Sequence, residues 1–330
     1  MKISVAIVGC GYWGKILLRN FFSCSKFKVE MVVEKKTEIR ESITQEYSDL
    51  KVVCEIEELL SSNINLVVLA TEPHSHYLLG KQILESGKNL LVEKPMTMDF
   101  ASCRDLNRIA RQKNLKVFVD HTDLFNPGIF ALRKEVLRLP NDSIKQLKSI
   151  RKNKKDHSIK TENLDVLWDL APHDFSIANY LLNQDPNFVK ASQIYSDEND
   201  SNLVRVEFEY ESGDCAEFLF SNQFAEKIRT TEIALSEKTL LYEDRNLYKS
   251  LQVYEHKTSK VYEIAIPPKM PLQNLMDHVF QVLSEKNLSV IDGLAGEMVV
   301  RLIEAAIDSI KKGGAPVSIE TSGDLKLCAV

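Results

Sequence analysis

No run of about 18 consecutive apolar residues occurs in the chain, and a membrane-spanning helix would need one. The apolar N-terminal stretch, Ile3 with Val5 to Val8, is too short for a signal-peptide core, and glycines follow it at once. The expected location is therefore the cytoplasm. The six cysteines, Cys10, Cys24, Cys54, Cys103, Cys215 and Cys328, form no Cys-x-x-Cys pair, so reduced and mostly buried thiols are expected. There is no Gly-x-Ser-x-Gly elbow and no Walker lysine. His74-Ser75-His76 has no further ligands at metal-binding spacing, so no metal site is expected. The net charge of −5 argues against a nucleic-acid or membrane partner. The densest basic run, Lys145 to Lys160, reads as a solvated strand face and loop, with docking of an anionic substrate group as the alternative.

What is present is a chain of 330 residues that is 44% hydrophobic. That length suggests two domains, since single cores rarely grow past about 250–300 residues. The first part alternates continuous apolar runs (Ile3–Val8, Lys28–Val33, Leu66–Ala70, Asn89–Val92, Val117–Val119) with amphipathic stretches (Tyr12–Phe22, Ile56–Leu60, His76–Ser86, Phe100–Gln112). Such alternation predicts an α/β domain on a parallel sheet, assigned to residues 1–122. Residues 123–330 read as an α+β domain. Ile129–Leu139 and Asp174–Leu182 look helical. Period-2 runs follow at Leu203–Tyr210, Cys215–Phe220, Arg229–Leu235, Leu240–Tyr242 and Val261–Ile266, which argues hairpins and a mostly antiparallel sheet. Leu272–Ser284 and Leu294–Lys311 close the chain as helices, expected to pack back on the first domain.

Gly9-Cys10-Gly11-Tyr12-Trp13-Gly14 is a Gly-x-Gly-x-x-Gly directly after a strand and opening a helix. The first glycine permits a tight turn, the second lets backbone approach a pyrophosphate, and the third lets helix and strand pack closely. Glu34 lies 20 residues past Gly14, where an acid would accept hydrogen bonds from an adenosine ribose. A carboxylate there repels a 2′-phosphate and favours NAD, while Lys35 and Lys36 beside it leave NADP open. Lys94 ends an apolar strand just before Pro95. It is either a solvated lysine or a cation that stabilises a substrate oxygen. Asp169 and His173 are four apart, so a helical or turn-like backbone would bring them together as an acid–base pair. The competing reading is a core histidine near a helix start.

In this order the pieces resemble the Gfo/Idh/MocA family: Gly9/Gly11/Gly14, Ala70-Thr71 with Pro73 and His76, Glu93-Lys94-Pro95, Asp169 with His173, and Asp292-Gly293 to Val317. The resemblance implies a Rossmann domain followed by a domain on a large open sheet, with dimers or tetramers as the assembly. It assigns catalysis to Lys94, Asp169 and His173, with Asp169 holding His173. It assigns cofactor binding to Gly9, Gly11, Tyr12, Trp13, Gly14, Glu34, Thr71, His76, Glu93 and Lys94. His121, Phe125, Asn126, Trp168 and His173 would face substrate. The implied activity is hydride transfer between NAD(P) and a secondary alcohol or ketone of a sugar or sugar nucleotide. An NAD-dependent glycosidase and a non-catalytic cofactor-binding sensor or scaffold are the alternatives. Thr71-Glu72-Pro73 departs from the family's direct Thr-Pro, and Glu34 stands where many members have Asp.

Overall fold

The computed structural model describes residues 2–138, 144–154, 165–194, 203–244, 250–285 and 287–319. The chain divides into two compact units. One comprises 1–121 with 272–300, the other 122–271 with 301–330.

The first unit holds β1 (Ile3–Val8), α1 (Tyr12–Ser23), β2 (Phe27–Val33), α2 (Thr37–Glu46), β3 (Lys51–Val53), α3 (Glu57–Leu60), β4 (Leu66–Leu69), α4 (His76–Glu85), β5 (Asn89–Glu93), α5 (Phe100–Lys113) and β6 (Val117–Asp120). Its six strands are parallel in the order β3-β2-β1-β4-β5-β6. β4 is buried at every position and β1 over its last four, which explains their unbroken apolar sequence. Sequence alone does not show α2 or β3. α2 buries only Ile43 and is otherwise polar, and β3 is three residues long at the sheet edge. α5 starts where Asp99 accepts a hydrogen bond from Ser102 N at 2.7 Å, and it ends at Asn114 in the left-handed region (φ 54°). Beyond β6, Val119 N donates to Ile291 O at 2.8 Å and Phe118 bridges Asp292.

The second unit holds α6 (Pro127–Leu137), β7 (Gln146–Lys154), α7 (Asp165–Leu182), β8 (Phe188–Ile194), β9 (Leu203–Glu209), β10 (Cys215–Phe224), β11 (Ile228–Ala234), β12 (Lys238–Glu243), β13 (Ser250–Glu255) and β14 (Val261–Ala265). α8 (Pro271–Glu285) and the start of α9 (Gly293–Lys311) belong to the first unit, whereas α9 from Arg301 onward and β15 (Val317–Ser318) belong to the second. The nine-stranded sheet runs β14-β13-β12-β11-β7-β10-β9-β8-β15. Its pairs are antiparallel except for β7 with β10. Phe175 fastens α7 to this sheet, its ring 4.7 Å from Phe208 and 5.0 Å from Phe218.

The basic run at 145–160 departs from its expectation. Through Lys154 it forms β7 in the middle of the sheet, with Leu147, Ser149 and Arg151 buried. Lys148 and Lys154 point outward, and their density hides the alternation from the sequence. Residues 155–160, and Cys328, lie outside the described residues. α7 begins nine residues before the expected start because it carries Pro172 in its interior. Among the described residues, no helix is long and apolar enough to cross a membrane.

Candidate active site

In the first unit the predicted cofactor residues collect at the carboxyl ends of the strands, where α/β sheets bind ligands. Gly9 follows β1 with φ +83° and takes a hydrogen bond partner in Val33 O at 2.9 Å. A Cβ on Gly14 would sit 2.1 Å from Gly9 O, so the third glycine is required by close packing. A Cβ on Gly11 would meet nothing within 4 Å. The space over Gly11 is therefore open, as a pyrophosphate on the start of α1 requires. Tyr12 is exposed beside it.

Glu34 is buried at the end of β2. Its Oε2 accepts from Cys10 N at 2.7 Å and its Oε1 from Lys36 N at 2.9 Å. Each oxygen keeps a lone pair for a ribose hydroxyl. Burial, and then the charge of Glu34, push the Cys10 thiol up to about 12.

Around β5 and β6, Trp13 Nε1 donates to Asp120 Oδ2 at 3.2 Å. Asp120 is the register partner of Glu93, and the two side chains hydrogen-bond. Burial, then Asp120, drive Glu93 well above the usual carboxylate range. Glu93 Oε2 also accepts from Lys94 N at 3.0 Å, and Lys94 is half-buried before a cis peptide to Pro95. His76 is fully buried, with Nδ1 2.9 Å from Pro95 O and Nε2 3.0 Å from Thr71 O. Burial holds its imidazole below the ordinary value. It thus braces the Thr71 loop against the Lys94-Pro95 turn. Thr71 Oγ1 meets Ser75 Oγ at 2.7 Å in the turn Pro73–Ser75, which absorbs the extra Glu72. His121 is buried at the end of this unit.

In the second unit, α7 carries Trp168, Asp169 and His173. Trp168 is half-buried and Asp169 exposed. Pro172 has no N–H for the Trp168 carbonyl. Asp123 lies at ion-pair distance from His173, with Oδ2 3.4 Å from Nδ1. Sequence reasoning does not single out Asp123. It lies in a short turn, Thr122–Phe125, between residues assigned to substrate, but the resemblance gives Asp123 itself no role. Arg151 on β7 joins Asp123 at 2.9 Å through Nη2 and binds Asp174 through Nε. Ser149 Oγ donates to Asp174 at 2.6 Å. Burial raises Asp123, but the charges of His173, Arg151 and Arg229 outweigh it and hold the carboxyl well below its usual range. Burial likewise acts to lower Arg151, and Asp174 and Asp123 reverse it.

Phe125 and Asn126 are both buried. Asn126 Oδ1 caps α6 by accepting from Gly128 N at 3.0 Å, and it also accepts from Tyr242 Oη at 2.8 Å. Gly128 must be glycine, since a Cβ would lie 2.2 Å from the Tyr242 ring. A small cavity of about 20 Å³ lies among Asp123, Asn126, Arg151, Asp174, Arg229 and Tyr242.

Residues 3–121 match the Gfo/Idh/MocA oxidoreductase family, described as an NAD-binding Rossmann fold. An uncharacterised oxidoreductase of Schizosaccharomyces pombe is 32% identical over 41% of this chain and 37% of its own length. An inositol 2-dehydrogenase of Rhizobium meliloti is 23% identical over 58% of each chain. The matched part therefore spans well under two thirds of these curated relatives. The structure of UDP-N-acetylglucosamine 3-dehydrogenase from Acidithiobacillus ferrooxidans superposes with TM-score 0.84 at 18% identity, covering 94% of this chain and 99% of that one. An aldose-aldose oxidoreductase from Caulobacter crescentus gives TM-score 0.85 at 16% identity, covering 97% and 100%. At these identities the likeness establishes the fold.

Proposed function

We propose that the chain, whose residues 3–121 match the Gfo/Idh/MocA family of NAD-binding oxidoreductases, moves a hydride between NAD(P) and a secondary alcohol or ketone of a sugar or sugar nucleotide. The observation that carries the reading is the open space over Gly11, at the start of a helix in a sheet of Rossmann strand order. The residues fit the cofactor. Gly9, Gly11 and Gly14 would hold the pyrophosphate, with the N–H groups of the first turn of α1 directed to it. Glu34 would accept the ribose hydroxyls and favour NAD. Nicotinamide, when bound, supplies the hydride acceptor or donor.

The chain's own residues handle the proton and the charge. His173 accepts the hydroxyl proton in the oxidative direction and returns it in the reductive one. Lys94 stabilises negative charge on the substrate oxygen. Asp169, one helical turn before His173, adds negative charge that favours the imidazolium. The sugar class draws on the names of the inositol, sugar-nucleotide and aldose enzymes among the similar proteins. Assembly into dimers or tetramers is part of the same proposal.

The test is net reduction of NAD by the purified chain across a panel of sugar nucleotides and cyclic polyols. Steady NADH accumulation with at least one compound is the expected result. Turnover of a glycoside without NADH accumulation would point to the glycosidase reading. Absence of NAD and NADP binding by calorimetry would remove the proposal altogether.

A further inference from the structure

We propose that Asp123 is the positioning residue for His173, holding its imidazole by Nδ1 so that Nε2 is the nitrogen that exchanges a proton with substrate. The inference rests on the reading of His173 as the acid–base group, and it assigns a role to a residue to which the family resemblance gives none.

Three observations carry it. Asp123 Oδ2 lies 3.4 Å from His173 Nδ1. That is ion-pair distance without hydrogen-bond alignment, and catalytic pairs of this kind are often long or poorly aligned before substrate binds. Second, Asp123 is itself held. Arg151 Nη2 sits 2.9 Å from the same oxygen, and Arg151 is locked on its other side by Asp174, which Ser149 steadies in turn. Arg151 and Asp174 are both buried, so this support has little freedom to swing. Third, Asp169 is exposed, where water screens its charge, whereas Asp123 is mostly buried in a charged cluster.

The charges around Asp123 make the arrangement workable. Arg151 on β7, Arg229 on β11 and Lys227 before it face Asp123 from the sheet. Asp174 on α7 and Asp244 after β12 face the two arginines. Three cations thus meet three carboxylates, and the cluster is balanced while His173 is neutral. Neutral imidazole is the form that can take a proton. Which nitrogen carries the hydrogen in that form is set by the partner of the other. An acceptor at Nδ1 requires Nδ1–H and leaves the Nε2 lone pair for substrate. Once the proton arrives, the Asp123 carboxylate stabilises the cation. Arg151 keeps Asp123 ionised throughout, so the transferred proton stays on the imidazole.

The experiment is nitrogen-15 NMR of the full chain with labelled histidine, His173 being assigned by its loss in His173→Asn. In the wild type the neutral His173 is expected to carry its hydrogen on Nδ1. In Asp123→Asn the fixed tautomer should be lost and the His173 titration midpoint should fall by about 1 pH unit, the lower end for losing a close opposite charge. The pH–rate profile should move with it. Asp169→Asn should leave the tautomer unchanged. A wild-type His173 protonated on Nε2 overturns the proposal, and this holds even if Asp123→Asn does not fold. So does an Asp123→Asn protein with unaltered tautomer and midpoint. If tautomer and midpoint respond to Asp123 but no sugar compound turns over, positioning stands and the proposed function falls.

Discussion

Gly11 and Gly14 sit three residues apart in one turn, yet they are glycines for different reasons. Gly14 is forced by the protein itself, because a Cβ there would collide with Gly9 O. Gly11 faces open space, so its smallness serves something that is not protein. Gly11→Val should fold with near-normal thermal stability and lose NAD affinity in calorimetry. Gly14→Ala should lower the melting temperature even without ligand. Cys10, the residue between the first two glycines, should resist alkylation at neutral pH. Its thiol is buried and pushed up to about 12, so little thiolate exists to react. Peptide mapping after iodoacetamide should show Cys10 unmodified in the folded protein. Lys94→Met should lower turnover with little change in NAD affinity, by about 2.7–4 kcal/mol of barrier if it is a preorganised charge donor. Near-normal turnover would return Lys94 to a solvated strand end.

At the scale of elements, the contrast lies between what continuous patterns announce and what isolated residues hide. β1, β4 and β5 announce themselves because burial on both faces demands unbroken apolar runs. The phosphate turn is legible for the same reason: three glycines at fixed spacing have one common use. Arg151 is not legible. It sits in a lysine-rich strand, and only the sheet order shows that its position faces inward. Nor is Asp123 legible. Its importance arises from α7 and β7, which are distant in sequence and meet it only in the fold. The spacing of Asp169 and His173 is visible in the sequence, but spacing does not show which acid is sheltered from water.

Two predictions follow from how α7 is held. Phe175→Ala should destabilise the protein by about 3–5 kcal/mol, the usual loss for a fully buried phenylalanine, because three neighbouring rings lose their contact. Arg151→Met should cost a similar amount, about 3–5 kcal/mol, by leaving Asp123 and Asp174 buried without their cation. Urea titrations would measure both. An Arg151→Met protein as stable as wild type would mean the cluster is wetter than its burial indicates.

For the molecule as a whole, two carboxyls pull its stability in opposite directions with pH. Asp123 is held below its ordinary value in the folded state, so its contribution is fully present above the unfolded carboxylate range near 4 and is lost as pH falls through the folded value. Glu93 is raised, so its contribution is present in acid and is lost as pH rises through the folded value. Glu93→Gln keeps a donor for Asp120 but has no proton to lose. Its stability relative to wild type should therefore improve from mildly acidic to alkaline pH. A constant difference across that range would show that Glu93 ionises as freely in the folded chain as in the unfolded one.

The contact between Val119 and Ile291 sets an order in time as well as in space. A ribosome makes all six strands of the first sheet early, but the segment that lies along β6 emerges only when most of the chain has been synthesised. Until then the nascent sheet shows a bare strand edge, the kind of surface that recruits other strands. A fragment ending at residue 122 should aggregate more readily than one in which residues 272–300 are fused behind it. The half-finished sheet therefore keeps its bare edge for the time it takes to translate β7 to β14.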